Sequence, residues 1–309
     1  MKTEGKVGTS EFFKSRAASG YVFVGLRGFC MGSADVVPGV SGGTIAFILG
    51  IYEELIASIR SFDPAFVRLV LGGKIKEAAR HVNLVFLVSL ALGIFTAIFT
   101  LAKGLSWLLD NRPVLIWSFF FGLVAASVFT VSRRVKLWTP GAWVCLVLGT
   151  VGSYLLVGVV PAHTPDAWWF LILSGALAIC AMILPGISGA YILVLLGKYK
   201  MVLDAVHQFH FGTLFLVAIG AVCGLLAFSH LLNWLFARYH DLAVAVLIGF
   251  MAGSLRKVWP WKEAVPGYSD ITANALPAAM NHEVLVAALL CLLGVVVVLL
   301  LELADRRRA

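Results

Sequence analysis

The chain has 309 residues, of which 61% are apolar (AVILMFWYC) and only 13% charged, and its mean hydropathy is +0.96. Soluble globular proteins carry about 25% charged residues. A chain this apolar has too little polar surface to face water, which excludes a soluble enzyme, a disordered chain and a secreted disulfide scaffold, and leaves a multispanning membrane protein. The net charge of +8 and pI of about 9.4 do not point to nucleic acid, because most Lys and Arg lie in short clusters beside apolar runs, as topology-setting charges do.

Residues 1–20 are polar and basic, with no apolar stretch ending in a cleavage site, so no removable signal peptide is expected. The first apolar region, 20–59, is broken at Asp35-Val36-Val37-Pro38-Gly39-Val40-Ser41-Gly42-Gly43. Each arm, of about 15–18 residues, reaches roughly 25 Å at about 1.5 Å per residue, short of the roughly 30 Å hydrocarbon core. That length predicts a re-entrant helical hairpin. Continuous spans follow at 82–108, 113–131 and 141–160. A second broken region, 168–206, interrupted by Leu184-Pro185-Gly186-Ile187-Ser188-Gly189, predicts a second hairpin, and spans at 212–236, 241–257 and 283–303 complete the chain.

The chain also repeats itself. At an offset of 147, Gly28 meets Gly175, Pro38 meets Pro185, Gly39 meets Gly186, Ser41 meets Ser188, Gly42 meets Gly189, Gly50 meets Gly197 and Tyr52 meets Tyr199. At an offset of 127, Gly93 meets Gly220, Trp107 meets Trp234, Gly122 meets Gly249 and Ser127 meets Ser254. Each half is then one hairpin plus three spans. Three is odd, so the second half enters the bilayer from the opposite face, the inverted repeat of many secondary transporters. The predicted fold class is an all-α polytopic membrane protein of two inverted-topology repeats, 1–163 and 164–309, each a re-entrant helical hairpin plus three transmembrane helices, forming one membrane domain. With both hairpins re-entrant, sixteen Lys and Arg fall on the side of the termini and six on the other. This places both termini in the cytoplasm.

The duplicated Pro-Gly-x-Ser-Gly breaks carry the candidate site. Pro38 ends a preceding helix, Gly39 permits a tight turn, and Ser41 can cap a helix whose first turn is Gly42, Gly43 and Thr44. Helix N-termini attract phosphate and carboxylate; Pro185, Gly186, Ser188 and Gly189 repeat the arrangement from the other face. The alternative is close helix packing through small residues. Ionisable groups inside membrane segments are costly and tend to be functional. Arg27, in the first hairpin arm, can fork around a phosphate or snorkel to the interface. Asp35 can pair with Arg27, titrate during transport, or cap the turn. Neither has a charged counterpart in the second half, where Ser174 and Met182 stand. Asp35 and Glu53 are the candidate coupling groups. The five cysteines show no metal spacing, and His207-x-x-His210 lacks a third ligand, so no metal or other cofactor is expected.

The segment Gly28 to Tyr52, with Met31-Gly32-Ser33-Ala34-Asp35-Val36-Val37-Pro38-Gly39-Val40-Ser41-Gly42-Gly43-Thr44, resembles the signature of the bacterial polyprenyl-phosphate translocases. The segment Leu184–Gly189 resembles their second motif, although Ala190 stands where that motif often has a second serine. The resemblance covers nearly the whole chain. It implies a flippase of the bacterial cytoplasmic membrane that returns undecaprenyl phosphate from the outer to the cytoplasmic leaflet for lipid-carrier recycling. The implied partners are a polyprenyl-phosphate lipid and the bilayer, with self-association left open. Two alternatives remain at this point. Undecaprenyl-pyrophosphate phosphatases share a Pro-Gly-x-Ser turn, but theirs continues with Arg-Ser, where this chain has Gly42-Gly43 and Gly189-Ala190. The other alternative is a carrier for a small soluble anion.

Overall fold

The structure, a computed structural model, describes residues 18–37, 41–159, 164–264, 272–277 and 279–306. Pro38 and Gly39 of the first break lie outside them. The described chain is mostly helical: α1 (Ala18–Asp35), α2 (Gly42–Ile48), α3 (Tyr52–Arg60), α4 (Pro64–Leu71), α5 (Ile75–His81), α6 (Leu84–Asn111), α7 (Pro113–Ser132), α8 (Pro140–Val157), α9 (Trp168–Ile183), α10 (Gly189–Leu195), α11 (Tyr199–His207), α12 (Phe211–Ser254) and α13 (His282–Arg306). A short antiparallel hairpin, β1 (Lys262–Ala264) and β2 (Thr272–Asn274), separates α12 from α13. Among the described helices, α6, α7, α8, α12 and α13 are long and apolar enough to cross a membrane. Their outward faces are apolar too. On α6, Val85, Val88, Leu92, Phe95 and Phe99 form an exposed stripe at helical spacing, while Phe86, Leu90, Gly93 and Ala97 point inward. The chain is a mostly helical polytopic membrane protein.

Each expected second hairpin arm is two helices. α2 and α3 meet at a bend of 115°. The cause is Gly50, at φ +67°, and its counterpart Gly197, at φ +64°, sits between α10 and α11. Both positions lie in the left-handed region that a Cβ disfavours. α2 and α10 share their bounds at an offset of 147, and so do α3 and α11. The spans expected at 212–236 and 241–257 are joined in α12, across non-helical backbone at Tyr239 (φ −137°, ψ 47°). Arg112, 127 positions earlier, divides α6 from α7 with nearly the same angles (φ −140°, ψ 53°).

The stretch expected to be a loop between the first hairpin and α6 holds α4 and α5. Asp63 caps α4 by accepting a hydrogen bond from the Phe66 N–H at 2.9 Å, and Pro64 occupies the first helical position. Desolvation alone would raise the Asp63 carboxyl, but the Phe66 N–H and His81, 3.0 Å away, hold it below its ordinary value. The cap therefore contributes at neutral pH and is lost as pH falls through that depressed value. Asp63→Ala is expected to cost about 1 kcal/mol. Amide exchange over 64–71 should speed up in the variant at pH 7, and in the native protein only in acid.

The long helices pack as pairs through glycine. α1 lies on α6 and α9 on the first part of α12. A methyl group on Gly93 would fall 1.9 Å from the Gly25 carbonyl oxygen, and one on Gly220 would fall 1.8 Å from that of Ile172. Methyl groups on Gly28 and Gly175 would likewise fall 2.2 Å from the Leu90 and Val217 carbonyl oxygens. Small residues let backbones touch, which is how membrane helices associate without a hydrophobic driving force. The second set of pairs crosses between the halves of the chain. α8 packs on the second part of α12 through Gly149 and Gly249, and α13 packs on α7 through Gly122 and Gly294. The core lies where these pairs converge, around Phe47, Tyr52, Ile56, Ile248 and Met251, and every residue of α2 is buried.

Candidate functional site

The two breaks meet at this core. Ser41 caps α2 as its sequence implied, accepting from the Gly43 N–H at 3.1 Å. Its hydroxyl also reaches the other break, lying 3.2 Å from the Met182 carbonyl oxygen and 3.3 Å from that of Leu184. Thr44, 0% exposed, accepts from the Gly186 N–H at 3.0 Å. The bonds between the breaks join residues more than 140 positions apart, and the one from Gly186 gives a buried backbone N–H its acceptor.

The first turn of α2 is occupied by the protein's own groups. The Gly42 N–H donates to Asp35 Oδ1 at 2.7 Å, and the Thr44 N–H to the Ser41 carbonyl at 2.9 Å. Asp35 thus makes the cap contact that was one of the three roles the sequence allowed it. Asp35 and Arg27 are both half-buried on α1, eight residues apart, or about 12 Å of helical rise.

The glycines are required by this contact. A methyl on Gly42 would lie 2.5 Å from Asp35 Oδ2, one on Gly43 2.6 Å from the Ile183 carbonyl oxygen, and one on Gly186 2.8 Å from that of Phe250. A methyl on Gly189 would lie 2.5 Å from the Ala178 carbonyl oxygen. The close-packing reading of these glycines therefore has a geometric basis of its own. Pro185 is buried beside them, and Ser188 precedes α10 without a side-chain cap bond. The two ends of α2 and α10 are thus unlike: α2 is capped by a carboxylate and a hydroxyl, α10 by neither.

The outer ends of the broken arms carry the coupling candidate Glu53 and several polar groups that the sequence did not single out. Beyond α2, Arg134 donates to the Ile48 carbonyl at 3.3 Å and lies over the Phe47 ring. Glu53 Oε1 is 3.4 Å from His240 Nε2, just past the Tyr239 break, and His240 Nδ1 faces Asp241 at 3.2 Å. Buried Glu54 accepts from Asn83 Nδ2 at 3.1 Å. Beyond α10, Lys198 is 1% exposed, pairs with Asp166 and donates to the Thr164 carbonyl at 3.0 Å. Periodicity gave no warning of Lys198, because a lysine after an apolar run reads as an interfacial anchor. His210 is exposed, and the side chain of His207 lies outside the described residues.

Residues 31–275 match the family described as undecaprenyl phosphate translocase-like (VCA0040-like). A protein of Vibrio cholerae serotype O1 named polyprenyl-phosphate transporter is 44% identical over 262 residues, 85% of either chain. One of the same name from Staphylococcus aureus is 30% identical over 259 residues, covering 76% of this chain and 85% of its own. No solved structure matches. The family match spans both breaks and all the helices between them, and the chain belongs to the undecaprenyl phosphate translocase-like family.

Proposed function

We propose that the protein returns undecaprenyl phosphate from the outer to the cytoplasmic leaflet of the bacterial cytoplasmic membrane, as a translocase and not as an enzyme. The observation that carries the substrate is the name shared by two relatives, polyprenyl-phosphate transporter, whose matches cover 85% and 76% of this chain. The arrangement proposed for the chain is two inverted repeats with re-entrant hairpins and both termini cytoplasmic. Supporting it are the equal bounds of α2 and α10 and of α3 and α11, the matched breaks at Arg112 and Tyr239, and the glycine contacts repeated at the same offsets.

In this reading the phosphate is handled where the breaks meet. A phosphomonoester is close to a dianion and loses its water on entering the protein, so N–H and hydroxyl donors must replace that water. Gly42, Gly43, Ser41 and Thr44 carry such donors in one half, and Gly186, Ser188 and Gly189 in the other; those bonded within the protein become available only as an anion displaces their partners. Pro185 sets the turn at the second break, the sequence assigns Pro38 and Gly39 the same part at the first, and Arg27 supplies a forked cation from α1. The Asp35 carboxylate holds the place of the incoming anion at the Gly42 N–H. A phosphate binding there displaces Asp35, and that exchange of one anion for another couples binding to rocking of one repeat against the other. Glu53, bridged to His240, is the second coupling candidate. The isoprenoid tail stays in lipid throughout, trailing through a lateral opening between the halves.

The lipid that copurifies with the protein tests the substrate. Mass spectrometry is expected to find a polyprenyl monophosphate. A soluble anion with no polyprenyl lipid would overturn the reading.

A further inference from the structure

Lys257 and Lys262 stand apart from the other described cations. After α12 the chain turns at once, the Lys257 N–H donating to the Ser254 carbonyl at 2.8 Å. The β hairpin then fixes the next residues. The Trp259 indole donates to the Ala275 carbonyl at 2.8 Å, and the Ala275 N–H to the Trp261 carbonyl at 3.0 Å. On this frame Lys257 Nζ sits 4.8 Å over the ring of Tyr191 from α10, and Lys262 Nζ sits 4.9 Å over the ring of Trp117 from α7. Lys262 Nζ also donates to the Lys257 carbonyl at 2.7 Å. The pair thus bridges α7 of the first half and α10 of the second.

Neither lysine forms an ion pair among the described residues. Lys198 has Asp166, Arg133 has Glu302 and Lys74 has Glu77. Arg256, next in sequence, is taken by the Tyr154 carbonyl at 3.0 Å and the Tyr154 ring. The acidic neighbour Glu263 is exposed on β1 and is in no salt bridge among the described residues. Burial pushes both ammonium groups below the ordinary lysine value, and the charge of Lys257 adds to this at Lys262, which is brought to about 8. Aromatic faces hold a cation without neutralising it. Among the described residues these two half-buried like charges lack the counter-ion that such charges require.

We infer that Lys257 and Lys262 form a second anion site, at the end of the protein where α8 and α12 finish and α7 begins, and that it takes a phosphomonoester headgroup. Two cations match a dianion in charge. The adjoining aromatic wall fits a lipid in particular: Trp259 lies 5.4 Å from Phe121 and 5.8 Å from Trp261, ring to ring, a surface for the first isoprene units. The site rests on the proposed function for its substrate. In that scheme it lies on the outer side and receives the headgroup before it reaches the paired breaks.

The test uses the full chain in nanodiscs of neutral lipid, with geranylgeranyl monophosphate and inorganic phosphate as separate probes. Lys257→Gln with Lys262→Gln is expected to weaken geranylgeranyl monophosphate binding at least tenfold, and Lys257→Arg with Lys262→Arg to keep it within threefold. Weaker binding of inorganic phosphate to the native protein assigns the site to the lipid headgroup. Equal affinity for the two probes overturns the lipid assignment. Unchanged binding in the double Gln variant overturns the site altogether, while translocation by the native protein would leave the proposed function standing. Conversely, lysine-dependent binding without translocation retains the site and removes the proposed function. Should the Gln variant fail to fold, lysine methylation of the native protein decides. Geranylgeranyl monophosphate should protect Lys257 and Lys262 but not exposed Lys200, and equal labelling of all three overturns the site.

Discussion

A Gly220→Leu variant is expected to fail to fold into a monodisperse protein. The nearest atom to a side chain at that position is the Ile172 carbonyl oxygen, 1.8 Å from a bare Cβ. That obstacle is backbone and has no rotamer to give way. Overpacking a core usually costs about 1–3 kcal/mol, and more where nothing can relax. Here α9 and α12 must separate along their contact, so the loss should exceed about 3 kcal/mol. Gly93→Leu should behave alike, since its Cβ would meet the Gly25 carbonyl oxygen at 1.9 Å. Gly104 and Gly152 face open space, and leucine there should leave yield and melting temperature unchanged or slightly raised. Size-exclusion profiles and thermal unfolding of the four variants read this directly. A Gly220→Leu protein that purifies and melts like the native one would contradict the α9–α12 contact.

Thr44→Val should act on function. Valine nearly matches threonine in shape, but it leaves the Gly186 N–H without its acceptor in a site where Thr44 is fully buried. An unsatisfied buried donor costs about 1–3 kcal/mol, which is roughly fivefold to 150-fold in any equilibrium that depends on the bond. If the two breaks work as one site, translocation falls by at least that lower factor while the fold survives. Ser41→Ala removes the α2 cap and the hydroxyl that reaches Met182 and Leu184, so the double variant should lose nearly all translocation. Native rates in the double variant would separate the contact between the breaks from transport.

The sequence made the duplicated breaks legible because Pro, Gly and Ser each constrain a turn in a different way, and the same set recurs 147 positions later. It also allowed Asp35 its cap, as one of three roles, but gave no means of choosing among them. Gly50 and Gly197 were visible as a matched pair yet not as a break. A lone glycine in an apolar run is compatible with continuous helix, and only the backbone reveals the positive φ. The Asp63-Pro64 pair is a helix-start signature, and it marks α4 inside what otherwise reads as a basic loop. Nothing at Tyr239 announces the bend in α12, since neither glycine nor proline stands there. Lys257, Lys262 and Lys198 were beyond reach for a different reason: their surroundings are supplied by α7, α10 and the 164–166 segment, which only tertiary packing brings near.

The central claim is that the protein moves a polyprenyl phosphate between leaflets through the meeting point of the two breaks. Proteoliposomes holding a short polyprenyl monophosphate in both leaflets test it, with a water-soluble phosphatase added outside. Protein-free vesicles should retain about half of the lipid protected, because the inner leaflet is sealed. The native protein should drain that protected half, and the Ser41→Ala, Thr44→Val double variant should leave it in place. Retention of the protected half by vesicles carrying correctly folded native protein would contradict the account.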